Sequence, residues 1–253
     1  TVANVEKLEI GPSPRGITAP VAPISLDGES GDWVTIPRID LRLESLQSRG
    51  EEAKSASLRV AHDGQFVYVL LEVEDDYDWI AADPHLSAAT AVMWNIDPAA
   101  GPHMGAADPD GVPGLGMVDI WHWELECSLG HFSGGGTSGP GDGDPGNDAS
   151  CNLDDEWSTN PFAREDDNGV GAENSLLGVF THTLPAAGAE GTWIFELRRP
   201  LQTGDEQDAQ FAPGATSQIA VAYWDPDQSP QGWVDAGHVQ SSNQGWIDVT
   251  FGG

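Results

Sequence analysis

Met104 stands in a Pro/Gly-rich run, Asp97-Pro98-Ala99-Ala100-Gly101-Pro102-His103-Met104-Gly105, and not on a periodic apolar face. A thioether so placed either caps a core or serves as an axial ligand to haem iron, for which methionine sulfur and imidazole are both suited. Closely spaced carboxylates form a second group. Asp108-Pro109-Asp110-Gly111, Asp142-Gly143-Asp144 and Asp225-Pro226-Asp227 offer hard oxygen donors of the kind Ca2+ takes. None completes a twelve-residue helix-flanked calcium loop, and each is equally a solvated acidic surface. The ten tryptophans are a third group. Those in strands fill a core by default, whereas exposed ones, such as Trp79, Trp157 or Trp233, would stack on pyranose faces.

Catalytic signatures are missing. The chain has no Gly-x-Ser-x-Gly elbow, no His-x-x-x-His, no Cys-x-x-Cys and no His-Glu-x-x-His. Paired carboxylates for glycoside cleavage stay an open alternative, because 41 acidic residues make chance pairs inevitable. The expectation is a binding or carrier protein without an active site of its own.

The elements that must position these residues are strands. Leu58–Ala61 and Gln65–Val73 flank an Asp63-Gly64 turn and read as a hairpin. Thr90–Ile96 and Met117–Leu125 follow. In the latter, Trp121, Trp123 and Leu125 share one face, and Ile120, His122 and Glu124 share the other. Further strands are expected at 176–183, 192–198, 218–224 and 245–251. No sustained 3.6-residue apolar period occurs, so long helices are not expected. The fold expected is all-β, an antiparallel two-sheet β-sandwich with long loops at 97–116, 127–175 and 225–244. Residues 1–23 read as an extended N-terminal arm, and 24–253 as a single domain carrying 127–175 as an insertion.

Charge and cysteine content bound the setting. With 253 residues, 39% of them hydrophobic, the chain can bury a full core. Its formal net charge is −31, and Lys7 and Lys54 are the sole lysines. Such a surface repels phosphates and anionic lipid heads, which argues against nucleic acid as a partner. It suits a saline habitat, where screening shortens self-repulsion, or an acidic secreted protein with cation-binding loops. No apolar run reaches the length of a membrane helix. Thr1-Val2-Ala3-Asn4 has neither a charged head nor an apolar run, as expected of a mature form. Cys127 and Cys151 flank the Gly/Asp-rich stretch 134–148. A disulfide between them would staple that excursion, contribute on the order of 3 kcal/mol, and place the protein in an oxidising, periplasmic or extracellular compartment.

Three sets of motifs carry a resemblance. Pro102-His103-Met104-Gly105, followed by Val118-Asp119-Ile120-Trp121-His122-Trp123, resembles the haem-binding domain of the ethylbenzene dehydrogenase family. These are γ subunits of exported molybdenum enzymes of the dimethyl sulfoxide reductase superfamily. Leu26-Asp27-Gly28 with Asp32-Trp33 is similar to the opening of that family, and equally to the related family 9-like carbohydrate-binding modules. Ala220–Asp225 and Trp233–Ser242 also look like the haem-binding family. The resemblance spans about 24–126 and 176–251 and has no counterpart for the insertion.

It implies a sandwich holding one b haem, with Met104 as one iron ligand and Trp121 and Trp123 beside the macrocycle. The family's second ligand is a lysine in the last loop, and this chain has no lysine after Lys54. His238 is the nearest substitute, with His103 and His122 next. A Met/His pair makes a six-coordinate iron suited to electron transfer. The partners implied are iron–sulfur and molybdenum subunits or a soluble electron carrier. Two alternatives stand beside this one: a family 9-like carbohydrate-binding module with Ca2+, and a surface-assembly domain using the insertion as its contact.

The charge yields a first prediction. Raising NaCl from 0.05 to 1 M should raise the thermal midpoint, by roughly 2–4 °C for each kcal/mol of repulsion screened. A midpoint insensitive to salt would mean that the acidic surface costs the fold nothing.

Overall fold

In the computed structural model, residues 15–46, 50–80, 86–109, 116–125, 129–132, 135–138, 156–160, 163–166, 175–229 and 237–253 are described. They build two stacked antiparallel sheets. One contains, in spatial order, β10 (Ala163–Asp166), β9 (Glu156–Asn160), β6 (Val118–Glu124), β5 (Ala89–Asn95), β13 (Thr216–Trp224) and β14 (Val239–Gln240). The other contains β2 (Ile39–Ser45), β3 (Lys54–His62), β4 (Phe66–Asp76), β12 (Glu190–Pro200), β11 (Leu177–His182), β8 (Gly135–Ser138) and β7 (Leu129–Phe132). β14 pairs with β2 through Val239↔Ser45 and Gln240↔Glu44, so the sheets are stitched along one edge. β15 (Ile247–Phe251) pairs with the first half of β13 and, in parallel, with β1 (Gly16–Ala19). The expected all-β sandwich is the fold found.

The 3–4 hairpin forms where Asp63-Gly64 places it. Gly64 takes φ +90°, and Asp63 Oδ1 accepts the Gln65 and Phe66 backbone N–H groups at 2.8 Å. β2, with its alternation of Ile39, Leu41 and Leu43, adds a strand to those expected from the sequence. Residues 16–19, within the N-terminal arm, form β1 rather than a free extension. Four short strands, β7 to β10, fall inside the 127–175 stretch expected as irregular. Cys127 and Cys151 lie outside the described residues.

Alternation sorts three apolar layers. Between the sheets lie Leu43, Leu58, Val60, Val69, Leu71, Trp94, Trp121, Trp123, Trp193, Phe195, Val221 and Tyr223. Outside the β2–β4–β12 sheet, Ile24, Trp33 and Ile36 cover Ala61, Leu70 and Ile194. The buried Glu196 fastens this flap, accepting the Asp27 N–H at 3.0 Å, the Gly28 N–H at 2.5 Å and the Trp33 indole N–H at 2.6 Å. Gly28 is required there. Its φ is +76°, and a Cβ would lie 2.3 Å from Thr181 Cγ2.

One buried guanidinium joins the two sheets. Arg199 on β12 is fully buried, and its Nη2 donates to Asp119 Oδ2 on β6 at 2.6 Å and to the Ala209 carbonyl at 3.0 Å. Its Nη1 donates to Asp208 Oδ1 at 2.9 Å, and the guanidinium lies 4.9 Å over the Trp121 ring. Removing one member of such a group strands the opposite charge in the core. Arg199→Met should therefore cost about 3–5 kcal/mol in urea unfolding. Replacing Asp119 and Asp208 by apolar residues in the same chain should restore much of that loss, and a cost below about 1 kcal/mol for the single variant would deny the network this role.

Candidate functional site

At one end of the sandwich, β4 runs out into Asp75-Asp76-Tyr77-Asp78-Trp79-Ile80, and β13 runs out into Asp225-Pro226-Asp227. The sequence gives no reason for strong packing at this end, yet it is held on every side. Tyr77 stacks on Trp193 at 5.3 Å and exchanges backbone hydrogen bonds with the turn at Gly188 and Ala189. The Trp193 indole donates to the Asp76 carbonyl at 3.0 Å, and the Ile80 N–H donates to Ser87 Oγ at 3.0 Å. The backbone that carries Asp78 and Trp79 is thereby anchored before and after them.

Three carboxylates converge there: Asp75, Asp78 and Asp225 each bring an oxygen within 4.8 Å of the others. Lys54, at the start of β3, places Nζ 2.5 Å from Asp75 Oδ1 and 2.6 Å from Asp225 Oδ2. The Tyr223 hydroxyl donates to Asp75 Oδ2 at 2.8 Å. Asp225 also accepts the Asp227 N–H and the Gln228 side-chain amide. Burial would lower the Lys54 ammonium, but the bonds to Asp225 and Asp75 outweigh it and raise its proton affinity. Burial, reinforced by Asp225, raises the Asp75 carboxyl against the pull of Lys54 and Tyr223. Lys54 supplies the positive charge that a divalent ion would bring, so the donor set here does not match a calcium site.

Asp78 is the group left over. It is half-buried, its Oδ2 is shielded from solvent, and no hydrogen-bond donor among the described residues reaches that oxygen. Burial, followed by repulsion from Asp76, Asp227, Asp75 and Asp225, pushes its pKa up to about 7. Trp79, next to it, is half-buried, with its inner part packed against the core. The partly open indole of Trp79 thus presents a flat apolar surface beside the Asp78 carboxyl.

The residues expected around a haem divide between two faces. Trp121 and Trp123 point into the inter-sheet core, where Trp121 meets Trp94 and Phe211. Met104 packs on the opposite, outer face of β5, β6 and β13, over a layer that includes Ala89, Ala91, Met93, Ile120, Ala220 and Trp224. It has φ +50° in a tight turn between the Gly101↔Gly105 and His103↔Ala106 bridges. The Trp224 ring stands between His238, at 4.6 Å, and His122, at 5.3 Å, on this same outer side. The tryptophans are therefore core-filling residues separated from Met104 and His238 by the sheet, and the four do not enclose one cavity. His103 is buried, which lowers its imidazole pKa against the opposing effect of Asp108.

Of the tryptophans expected to stack on sugars, Trp79 and Trp157 are half-buried, and Trp233 lies outside the described residues, as do Asp110 and Asp142–Asp144. Asp108 is exposed. Asp75 and Asp78 share the run at the end of β4, whereas Asp225 follows β13, so the sequence offers the Asp75-Asp76-Tyr77-Asp78 and Asp225-Pro226-Asp227 runs without joining them.

Asp78 makes stability pH-dependent. An unfolded aspartate loses its proton near pH ~4, whereas the folded carboxyl keeps it to about pH 7. The stability it contributes is full below the unfolded value and is lost as pH rises through the folded one. Asp78→Asn should therefore gain stability over the parent protein as pH rises from 5 to 8 in urea titrations, and a pH-independent difference would contradict the assignment.

No protein-family model and no curated protein matches the chain. Solved structures do resemble it. A proposed carbohydrate-binding protein from Bacteroides uniformis superposes with a TM-score of 0.52 at 10% identity, covering 94% of this chain and 100% of that one. A family 9 carbohydrate-binding module from Caldicellulosiruptor kristjanssonii, in complex with cellotriose, gives a TM-score of 0.47 at 12% identity, covering 94% of each chain. The same kind of module in complex with glucose gives 0.44 at 12% identity, covering 94% of this chain and 96% of that one. At these identities the likeness is one of fold.

Proposed function

We propose that this chain is a non-catalytic carbohydrate-binding module of an exported protein, and that its ligand seats at the end of the sandwich formed by Asp78 and Trp79. The observation that carries this reading is the half-open indole of Trp79 beside the half-buried Asp78, on a backbone anchored from both sides. Sugars present both complements, an apolar ring face and a set of hydroxyl donors. The fold shared with the Bacteroides uniformis protein supports the same reading. The lack of a catalytic motif agrees with a role in attachment rather than turnover. No helix among the described residues is long and apolar enough to cross a membrane.

A second reading, a b-type haem carrier working with iron–sulfur and molybdenum subunits, is favoured by Met104 and His238 lying on the same outer face of one sheet. It predicts a Soret band and sharp α/β bands on reduction of the purified protein, and a colourless folded protein removes it.

The sugar reading is tested by affinity electrophoresis and calorimetry against neutral gluco-, xylo- and manno-oligosaccharides. Binding of at least one is expected, and Trp79→Ala should weaken it at least about tenfold, or about 1.4 kcal/mol. Unchanged affinity in that variant would move the site elsewhere, and no binding across the panel would end the proposal.

A further inference from the structure

Beside the edge where β14 stitches the sheets along β2, the surface folds into a cleft of about 740 Å3. One wall is the end of β2 and the segment that follows it, and the other is the turn around Met104. Both walls are pinned. The Gly50 N–H donates to Ser45 Oγ at 3.2 Å, the Ser45 hydroxyl donates to Glu51, and the Glu52 N–H donates to the Gln228 side-chain carbonyl. Asn243 donates to the Ser45 carbonyl at 2.8 Å and accepts from the Gln240 amide at 3.2 Å. On the other wall, the Gly101–Gly105 and His103–Ala106 backbone pairs close the turn, and the Trp246 indole ties it down through the Ala100 carbonyl at 3.0 Å.

His103 is the group that this packing does not account for. It is only 9% exposed, yet its imidazole makes no hydrogen bond to any described residue. Its ring nitrogens are not sealed from solvent, and the side chain lines the cleft. Burial lowers its pKa against the opposing effect of Asp108, so at pH 7 the ring is neutral and carries one N–H donor and one bare acceptor. Neither is used inside the protein. A buried polar ring of this kind destabilises the fold unless something pairs with it. The next residue, Met104, is the one non-glycine among the described residues with positive φ, a strain of the kind retained where it holds a neighbouring group in place.

The lining selects the kind of ligand. Glu44, Glu51 and Asp108 bring three carboxylates against the single guanidinium of Arg42, which already pairs with Glu44 at 3.3 Å. An anion is repelled there. A metal ion fits poorly, because among the described residues no three His or acidic side chains of this cleft bring donor atoms within 4.8 Å of one another. Neither Trp, Tyr nor Phe lines it, so a sugar ring has no platform to stack on. What fits is a neutral ligand with several hydroxyls, which donate to the carboxylates and the bare imidazole nitrogen and accept from His103, Asn243 and Arg42. Resting on the sugar-binding reading for its ligand class, we propose that this cleft is a second saccharide site, which holds a neutral sugar by hydrogen bonds, with His103 as the central contact. It shares no lining residue with the Asp78–Trp79 end, so the module engages two saccharides at once. Without an aromatic platform it is the weaker of the two.

The experiment uses the full chain carrying Trp79→Ala, in which the stronger site is removed. Neutral gluco-, xylo- and manno-oligosaccharides are titrated in while the His103 ring C–H resonances, assigned through His103→Leu, are followed by NMR and affinity is read by calorimetry. At least one sugar should shift those resonances saturably. Adding His103→Leu should weaken this residual binding at least about tenfold. The same substitution in the parent chain should leave the thermal midpoint equal or higher, since it removes a buried polar ring that has no partner. If it lowers the midpoint instead, Asp108→Asn at its exposed position decides: residual affinity should fall roughly two- to fivefold, and unchanged affinity overturns the proposal. Residual binding that leaves the His103 resonances in place, or that is as tight for an oligogalacturonate as for the neutral sugars, overturns it too. If the parent chain binds sugar and Trp79→Ala abolishes binding outright, the second site fails and the first stands. If the parent chain binds none of the panel, the sugar reading fails and the cleft fails with it.

Discussion

The fully buried guanidinium of Arg199 is a charge that both sheets share. It leaves β12, crosses the core beneath Trp121, and meets Asp119 on β6 and Asp208 in the segment before β13. Asp119 also accepts the Ala209 N–H at 2.9 Å, which fixes the segment that delivers Phe211 against Trp94 and Phe251. A buried ion group is not automatically stabilising, because desolvation offsets much of its attraction. What it does impose is register. β6, β12 and the 205–211 segment can satisfy these charges in one relative placement, while an apolar interface tolerates sliding. The stacking of the two sheets, and hence the place where β4 and β13 end together, depends on that constraint.

The distribution of lysine follows from the same economy of positive charge. In a chain of net charge −31, one of two lysines sits between Asp75 and Asp225 rather than on the surface. Its ammonium makes Asp75 and Asp225 tolerable at that depth and holds the ends of β4 and β13 together.

The outer faces of the two sheets are treated differently. On one, Trp33 and its neighbours form a flap fastened by Glu196. On the other, the Met104 turn rests on a layer rich in alanine, and Trp224 stands between two imidazoles. The strand Val118–Glu124 separates these environments by simple alternation. A motif read as a contiguous string, Trp121-His122-Trp123, therefore contributes its tryptophans to the core and its histidine to the opposite side. A pleated strand cannot direct adjacent residues into one cavity, and this is why the expected haem surround does not assemble as a unit.

The alternation and turn chemistry of the sequence determined much of the secondary structure. The Asp63-Gly64 hairpin, the faces of β6, and strands β5, β11, β12, β13 and β15 follow from β-branched and aromatic runs bounded by turn residues. So does the all-β class. Short strands such as Gly135–Ser138 have no apolar alternation of their own and acquire strand geometry by pairing with β11, so tertiary contact decided them. Tertiary structure also decided the candidate site. Lys54, Asp75, Asp78 and Asp225 have no common spacing, and their meeting depends on which strand ends the sandwich brings to one side. A chain this rich in aspartate offers too many possible partners for sequence to select among, and the fold selects by burying one set and hydrating the rest.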